Sequence, residues 1–214
     1  MKIGIKGTIV SDNDAWIYEW FDIQHTNPSA VNDALIEADG EDVDVDINSG
    51  GGDVFAGSEI YSALRGYKGK VNIHVVGFCA SAASVIAMAG HSDISPTAQL
   101  MVHNVSMTDS GDYHVHDKAS EILQTANRAV AAAYVEKTGM EEKEALKLMD
   151  RETWLTAQEA VDYGLIDEIA ESKQSLQLVA AIGATILPTK ILDEYRNRKI
   201  ELQNQLDRLK NMEV

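Results

Sequence analysis

Hydrophobic and polar residues alternate in several short segments of the chain. The clearest are "KIGIKGTIV" from residue 2 and "DVDVDIN" from residue 42. A period of two predicts strands with one buried face. Shorter apolar segments predict further strands at 70–78, 98–107 and 165–170.

Between these strands the spacing of apolar residues becomes helical. Helices are predicted in the segments 29–40, 54–67, 81–90, 116–139, 141–151 and 156–164. Ser29 is the predicted N-cap of the first of these helices, and Thr156 with Glu159 forms a predicted capping box in the last. The segment "AWIYEWFDI", residues 15–23, fits a helix or a strand.

Strands and helices alternate as far as about residue 170, which predicts an α/β fold with a mostly parallel sheet. We therefore expect one domain at 1–170, a linker at 171–188 and a C-terminal amphipathic or coiled-coil helix at 189–214. The expected helical extension has a heptad seam with one polar break at Lys199, formed by Leu192, Tyr195, Lys199, Leu202, Leu206 and Leu209. A single amphipathic helix packed on the domain is the alternative.

Composition narrows the class of protein. The 214 residues are 45% hydrophobic and 24% charged, with a net charge of −16. Residues 11–46 alone carry eleven acidic and no basic residues, so phosphate-backbone binding to nucleic acid is not expected. The single cysteine excludes an internal disulfide framework. No apolar run approaches the ~20 residues of a membrane span, so a cytoplasmic protein is expected.

Two serines lie in "GFCASAASVIAMAG", residues 77–90, among unusually small residues. Ser81 follows a predicted strand at the start of a helix, where backbone N–H groups are free to stabilise negative charge. It is therefore a candidate nucleophile, and a simple N-cap is the alternative. Ser84 lies one turn later, where its hydroxyl is expected to bond back to a carbonyl.

Other segments supply partners that a serine nucleophile needs. His103 ends a predicted strand and is a candidate base, and the "SGGG" turn at 49–52 allows close backbone approach. Asp150 or Glu152 would orient the histidine. His114 and His116 form an HxH pair that we interpret as a solvated loop rather than a metal site.

Together, four segments resemble the ClpP family, the proteolytic subunit of the Clp protease. The segments are "INSGGGDVFAGSEIY", "GFCASAAS", "LMVHN" and "TWLTAQEAVDYGLID", and they occur in the family's order. The resemblance implies a ClpP/crotonase-like fold of repeated β-β-α units and a serine endopeptidase that needs no cofactor or metal.

The resemblance also assigns roles to residues. Ser81 matches the nucleophile and His103 the base, and the N–H groups of Gly52 and Ala82 match the oxyanion hole. Glu152 takes the place of the family's triad aspartate, and Asp150 is the alternative. The implied substrate is a polypeptide, and the implied assembly is a homo-oligomer, either a heptameric ring or two stacked rings.

Several departures from the family indicate a subgroup. Gly50 replaces the family's proline, Asn104 and Val105 replace Gln-Pro, and the heptad tail is additional. With these differences, the chain resembles a phage or prophage head maturation protease. The resemblance implies processing of capsid or scaffold proteins, with or without an ATPase partner. The alternatives are a crotonase-fold acyl-CoA enzyme, a Ser-Lys signal-peptide-peptidase-like enzyme and a non-catalytic assembly protein.

Overall fold

A computed structural model describes residues 1–171, which form one compact unit. The predicted linker and heptad helix lie outside the described residues, apart from residue 171. The strands are β1 (Lys2–Ile9), β2 (His25–Thr26), β3 (Val43–Gly52), β4 (Val71–Ala80), β5 (His91–Ile94), β6 (Gln99–Val102), β7 (Thr153–Thr156) and β8 (Glu168–Ile169). The helices are α1 (Asp12–Trp20), α2 (Pro28–Ala38), α3 (Val54–Arg65), α4 (Ala82–Ala87), α5 (Tyr113–Thr138), α6 (Glu142–Asp150) and α7 (Ala157–Asp162).

The eight strands form one mostly parallel sheet, as predicted. The main path runs β2-β1-β3-β4-β5-β8, and all its pairs are parallel. β4 is long enough to pair with β5 along its first half and with β6 at its end, and β7 then pairs antiparallel with β6. The carboxyl ends of β3, β4 and β6 therefore meet at one edge of the sheet.

Period-two patterning accounts for the central strands. Along β3 buried and more exposed residues alternate, and the buried Ile5, Ile47 and Ile73 of three adjacent strands are each 0% exposed. Acidic residues of β3 such as Asp44 occupy the opposite face. The helices cover the apolar face, so the core lies between the sheet and the helices.

Most of the predicted elements are confirmed, and some details of the prediction were wrong. Ser29 is not an N-cap: α2 begins at Pro28 with Asn27 at the N-cap position. Proline suits the first helical position because its φ is fixed and it has no N–H. Ser29 instead donates its N–H and its hydroxyl to Asp12 at 2.9 and 2.7 Å.

Glycine-rich and short segments also differ from expectation. The "SGGG" segment continues β3 to Gly52 rather than forming a separate turn, because it pairs with Thr8 and Ile9 of β1. The segment 15–23, which fitted either element, contributes its first residues to α1. The strands β2, β5 and β7 were not predicted.

Three further predictions concern a capping box, a histidine pair and membrane spans. The capping box of α7 is confirmed, with Thr156 and Glu159 bonded reciprocally. His114 and His116 lie in the first turn of α5, not in a loop. Within residues 1–171, none of the helices combines the length and the apolar character needed to cross a membrane.

Candidate active site

Ser81 lies at the sharp junction between β4 and α4. Its backbone has φ 56° and ψ −127°, a conformation that is rare for a residue with a side chain. It occupies the N-cap position of α4, but within the described residues its side chain makes no capping hydrogen bond. The hydroxyl therefore does not cap the start of the helix, which argues against the alternative that Ser81 is a simple N-cap.

The Ser81 hydroxyl instead contacts His103. Its Oγ lies 2.7 Å from His103 Nε2. The pairing of β4 with β6 sets this distance, because Ala80 is opposite Met101 and the Ser81 N–H donates to the Met101 carbonyl at 3.1 Å. His103 follows the end of β6 directly, so both side chains project from the same edge of the sheet. A neutral imidazole in this position can accept the hydroxyl proton.

The other nucleophilic side chains close to Ser81 in the sequence, Ser84 and Cys79, are buried. Ser84 donates to the Ser81 carbonyl at 2.6 Å, as predicted, and its Oγ lies 2.8 Å from the Tyr134 hydroxyl in the core. Cys79 is 0% exposed, and burial raises the pKa of its thiol far above the usual range. Neither group is available as a nucleophile at neutral pH.

Two glycines bring the β3 backbone against the serine. Gly51 has φ +88°, and a Cβ on it would lie 2.6 Å from Ser81 Cβ and 2.9 Å from the Ala82 nitrogen. Gly52 has φ +150°, and a Cβ there would lie 2.0 Å from the Ile9 carbonyl oxygen. Both positions therefore require glycine. The close contact made by Gly51 was not identified from the sequence, although the run of three glycines was the available signal.

A cavity of about 260 Å³ opens in front of the Ser81–His103 pair. Gly52 and Ala82, the two predicted oxyanion donors, both line it. Its remaining lining residues are Asp53, Val54, Phe55, Val85, Asn104, Val105, Ser106 and Val130. Most of these side chains are apolar, so the cavity suits an apolar group beside the polar Ser81–His103 pair.

The carboxylates predicted to orient His103 are nearby but are bonded to other groups. Glu152 accepts a long hydrogen bond of 3.4 Å from Trp154 Nε1, and Asp150 accepts one of 2.9 Å from Asn104 Nδ2. Among residues 1–171, neither carboxylate is hydrogen-bonded to His103. The assignment of Glu152, with Asp150 as alternative, stays a prediction.

The β6–β7 ladder ends one residue short of His103 and Glu152. Its last pair is Val102 of β6 with Thr153 of β7, in antiparallel register. Continuing this register by one residue would place His103 opposite Glu152, but the chain leaves the ladder at this point. Glu152 has φ 48°, in the left-handed region. In this backbone conformation, the Glu152 side chain accepts the hydrogen bond from Trp154.

No metal site was predicted from the sequence. The side chains considered as possible metal ligands are those of His, Cys, Asp and Glu. In the part of the chain that the structure describes, no group of three or more of these residues is arranged to hold a metal ion. His114 and His116 accordingly belong to no such group in this part of the chain.

Comparison with known proteins identifies the family of this chain. A family model described as Clp protease matches residues 31–173, which is more than half of the chain. The chain belongs to the Clp protease family. Membership makes it a serine peptidase of the Clp type, and it favours this class over the acyl-CoA and Ser-Lys alternatives.

Individual family members are moderately similar. The ATP-dependent Clp protease proteolytic subunit 1 of Chlamydia abortus is 36% identical over 138 residues, which cover 61% of this chain and 70% of that protein. The subunit of the same name from Streptomyces avermitilis is 31% identical over 143 residues, covering 65% of this chain and 66% of that protein. The chain thus spans about two thirds of the length of these relatives.

A solved structure confirms the ClpP fold. A ClpP1 mutant from Listeria monocytogenes superposes with a TM-score of 0.65 and 26% sequence identity. The match covers 82% of this chain and 94% of that chain. The predicted α/β fold of the ClpP type is therefore confirmed.

Proposed function

We propose that this chain is an endopeptidase in which Ser81 is the nucleophile and His103 the general base. The observation that carries the proposal is the 2.7 Å contact between Ser81 Oγ and His103 Nε2 at a strained strand-to-helix junction. Backbone strain is typical of catalytic residues. Ser81 is strained in this way, and its hydroxyl does not cap the helix.

The reaction follows from this geometry. The Ser81 hydroxyl proton passes to His103 Nε2 while Oγ forms a bond to the carbonyl carbon of the substrate. The N–H groups of Gly52 and Ala82 donate to the resulting oxyanion. Collapse of this intermediate breaks the C–N bond, and the imidazolium protonates the leaving amine. A water molecule, deprotonated by His103, then hydrolyses the acyl-enzyme.

A fluorophosphonate probe tests the nucleophile. We expect the wild-type protein and Ser84→Ala to become labelled, and Ser81→Ala to remain unlabelled and without peptidase activity. Ser84 is the matched control because it lies in the same small-residue segment but bonds to Tyr134. Labelling that persists in Ser81→Ala would overturn the assignment, and an unlabelled wild type would favour a non-catalytic assembly protein.

The natural role that we propose is processing of phage capsid or scaffold proteins in the cytoplasm. Gly50, Asn104 and Val105, at positions where the family resemblance leads one to expect other residues, support a diverged subgroup, as does the heptad tail. A polypeptide substrate is expected, with or without an ATPase partner. Co-expression with candidate capsid or scaffold proteins, followed by mass-spectrometric mapping of cleavage sites, tests this role. Cleavage that also occurs with Ser81→Ala would argue against it.

A further inference from the structure

Asn104, which directly follows the base, is tied to the loop that carries Glu152. Its Nδ2 donates to Asp150 Oδ1 at 2.9 Å. Asp150 is the last residue of α6, two positions before Glu152. This side-chain bond lies just beyond the end of the β6–β7 ladder, whose last pair is Val102 with Thr153. It therefore links the two chain segments where the backbone ladder stops.

The orientation of the Asn104 amide follows from its partner. An ionised carboxylate only accepts hydrogen bonds, so the NH₂ end of the amide must face Asp150. The Asn104 Oδ1 atom is then left buried, and it has no hydrogen-bond partner in the described part of the chain. An unpaired buried acceptor is unfavourable. In the described part of the chain, the bond to Asp150 is thus the hydrogen bond that fixes the orientation of this amide.

We propose that Asn104 is a positioning residue, which acts through its hydrogen bond to Asp150 to hold Glu152 opposite His103. The inference rests on the proposed catalytic function. Beyond the ladder, the Asn104–Asp150 bond keeps the 150–152 turn beside the segment that carries the base. In the proposed arrangement the Glu152 side chain gives up its long 3.4 Å bond to Trp154 and accepts a hydrogen bond from His103 Nδ1. In this arrangement Asp150 acts through Asn104 and not on His103.

A double-mutant cycle on kcat separates these roles. We expect Asn104→Ala and Asp150→Ala each to lower kcat by about 10- to 100-fold, since a small displacement of a catalytic group has effects of this size. The double variant should be no slower than either single variant, because both remove the same bond. KM should change little in Asp150→Ala, because Asp150 does not line the cavity in front of Ser81. If Asp150 were itself the triad acid, Asp150→Ala would lower kcat further in the Asn104→Ala background, and the proposal would be wrong.

A pH profile adds a readout that general destabilisation would not produce. A carboxylate beside an imidazole favours the imidazolium and raises its pKa. Loss of the positioning bond should therefore move the acidic limb of kcat/KM to lower pH, in the same direction as Glu152→Gln. An unmoved limb, or an unchanged kcat in Asn104→Ala, would overturn the proposal.

Asn72 provides a matched control. Its Nδ2 donates to Asp44 Oδ1 at 3.1 Å, which is also an Asn–Asp side-chain pair but lies between the neighbouring strands β4 and β3. We expect Asn72→Ala to leave kcat and the pH profile unchanged. Fluorophosphonate labelling of the wild type tests the proposed function separately, so failure of that function and failure of the positioning role give different results.

Discussion

At the scale of single residues, the sequence motifs singled out Ser81 and His103, which the structure brings into contact, but not the orientation of the third candidate, Glu152. Ser81 and His103 were predictable because each follows a strand at the same sheet edge, and the pairing of β4 with β6 joins them. The orientation of Glu152 depends on a positive φ and on a competing indole donor. Neither feature leaves a signal in a pattern of hydrophobic and polar residues.

The Glu152 side chain gives a prediction at this scale. If it orients His103 during catalysis, Glu152→Gln should lower kcat by roughly 100- to 10,000-fold, because the imidazolium loses its counter-charge. Steady-state kinetics measures this effect. The melting temperature should change little, since the hydrogen bond that the Glu152 side chain accepts within residues 1–171 is long, at 3.4 Å.

Asp150→Asn is the control for Glu152→Gln. An asparagine at 150 still offers an oxygen to Asn104 Nδ2, so only a small change in kcat is expected. A severe loss in Asp150→Asn together with full activity in Glu152→Gln would exchange the two roles.

At the scale of secondary structure, helices with strong signals were predicted better than short strands. The α7 capping box is visible in the sequence because it depends on residues three positions apart. By contrast, β5 and β7 have four residues each, and they become strands only by pairing with partners that are distant along the chain. Local patterns carry little information about such pairing.

The C-terminal end of α5 is held to the sheet by an ion pair between Lys137 and Asp167. Burial raises the pKa of the Asp167 carboxyl, but the bonds from Lys137 and Ser92 outweigh it, so the pKa is lower than usual. A carboxyl with a lowered pKa stabilises the fold above its unfolded pKa of about 4, and the contribution is lost as pH falls further.

Asp167→Asn should therefore destabilise the protein at pH 6–7, and the difference from wild type should shrink below about pH 4. Denaturant unfolding at several pH values measures this trend. Glu121→Gln is the control, because Glu121 pairs with Lys118 on the same helix in a fully exposed position and should contribute little. A stability difference that is independent of pH would contradict the ion-pair explanation.

At the scale of the whole molecule, alternation of strands and helices was enough to predict the fold class. The position of the site follows from topology, because the three parallel strands β3, β4 and β6 end at one edge. What could not be predicted is the volume of the cavity there, which depends on how α3 and α5 approach each other through side chains such as Val54 and Val130.

Assembly is the remaining prediction at this scale. The family resemblance implies rings, and the predicted heptad seam at 189–214 would provide an additional contact between copies. Leu202, Leu206 and Leu209 need a partner to leave water, and burial of each CH₂ contributes about 0.8 kcal/mol. The residues 1–171 form a compact unit with its own core, so removal of the tail should not unfold them.

Deletion of all residues after Pro188 should therefore reduce the size or the stability of the oligomer while the melting temperature of the domain is retained. Sedimentation velocity and light scattering at micromolar concentration measure the assembly, and fluorophosphonate labelling reports on the site. An unchanged oligomer after the deletion would exclude a role for the tail in assembly. A fully active monomeric wild type would instead contradict the ring, because a ring requires more than one copy of the chain.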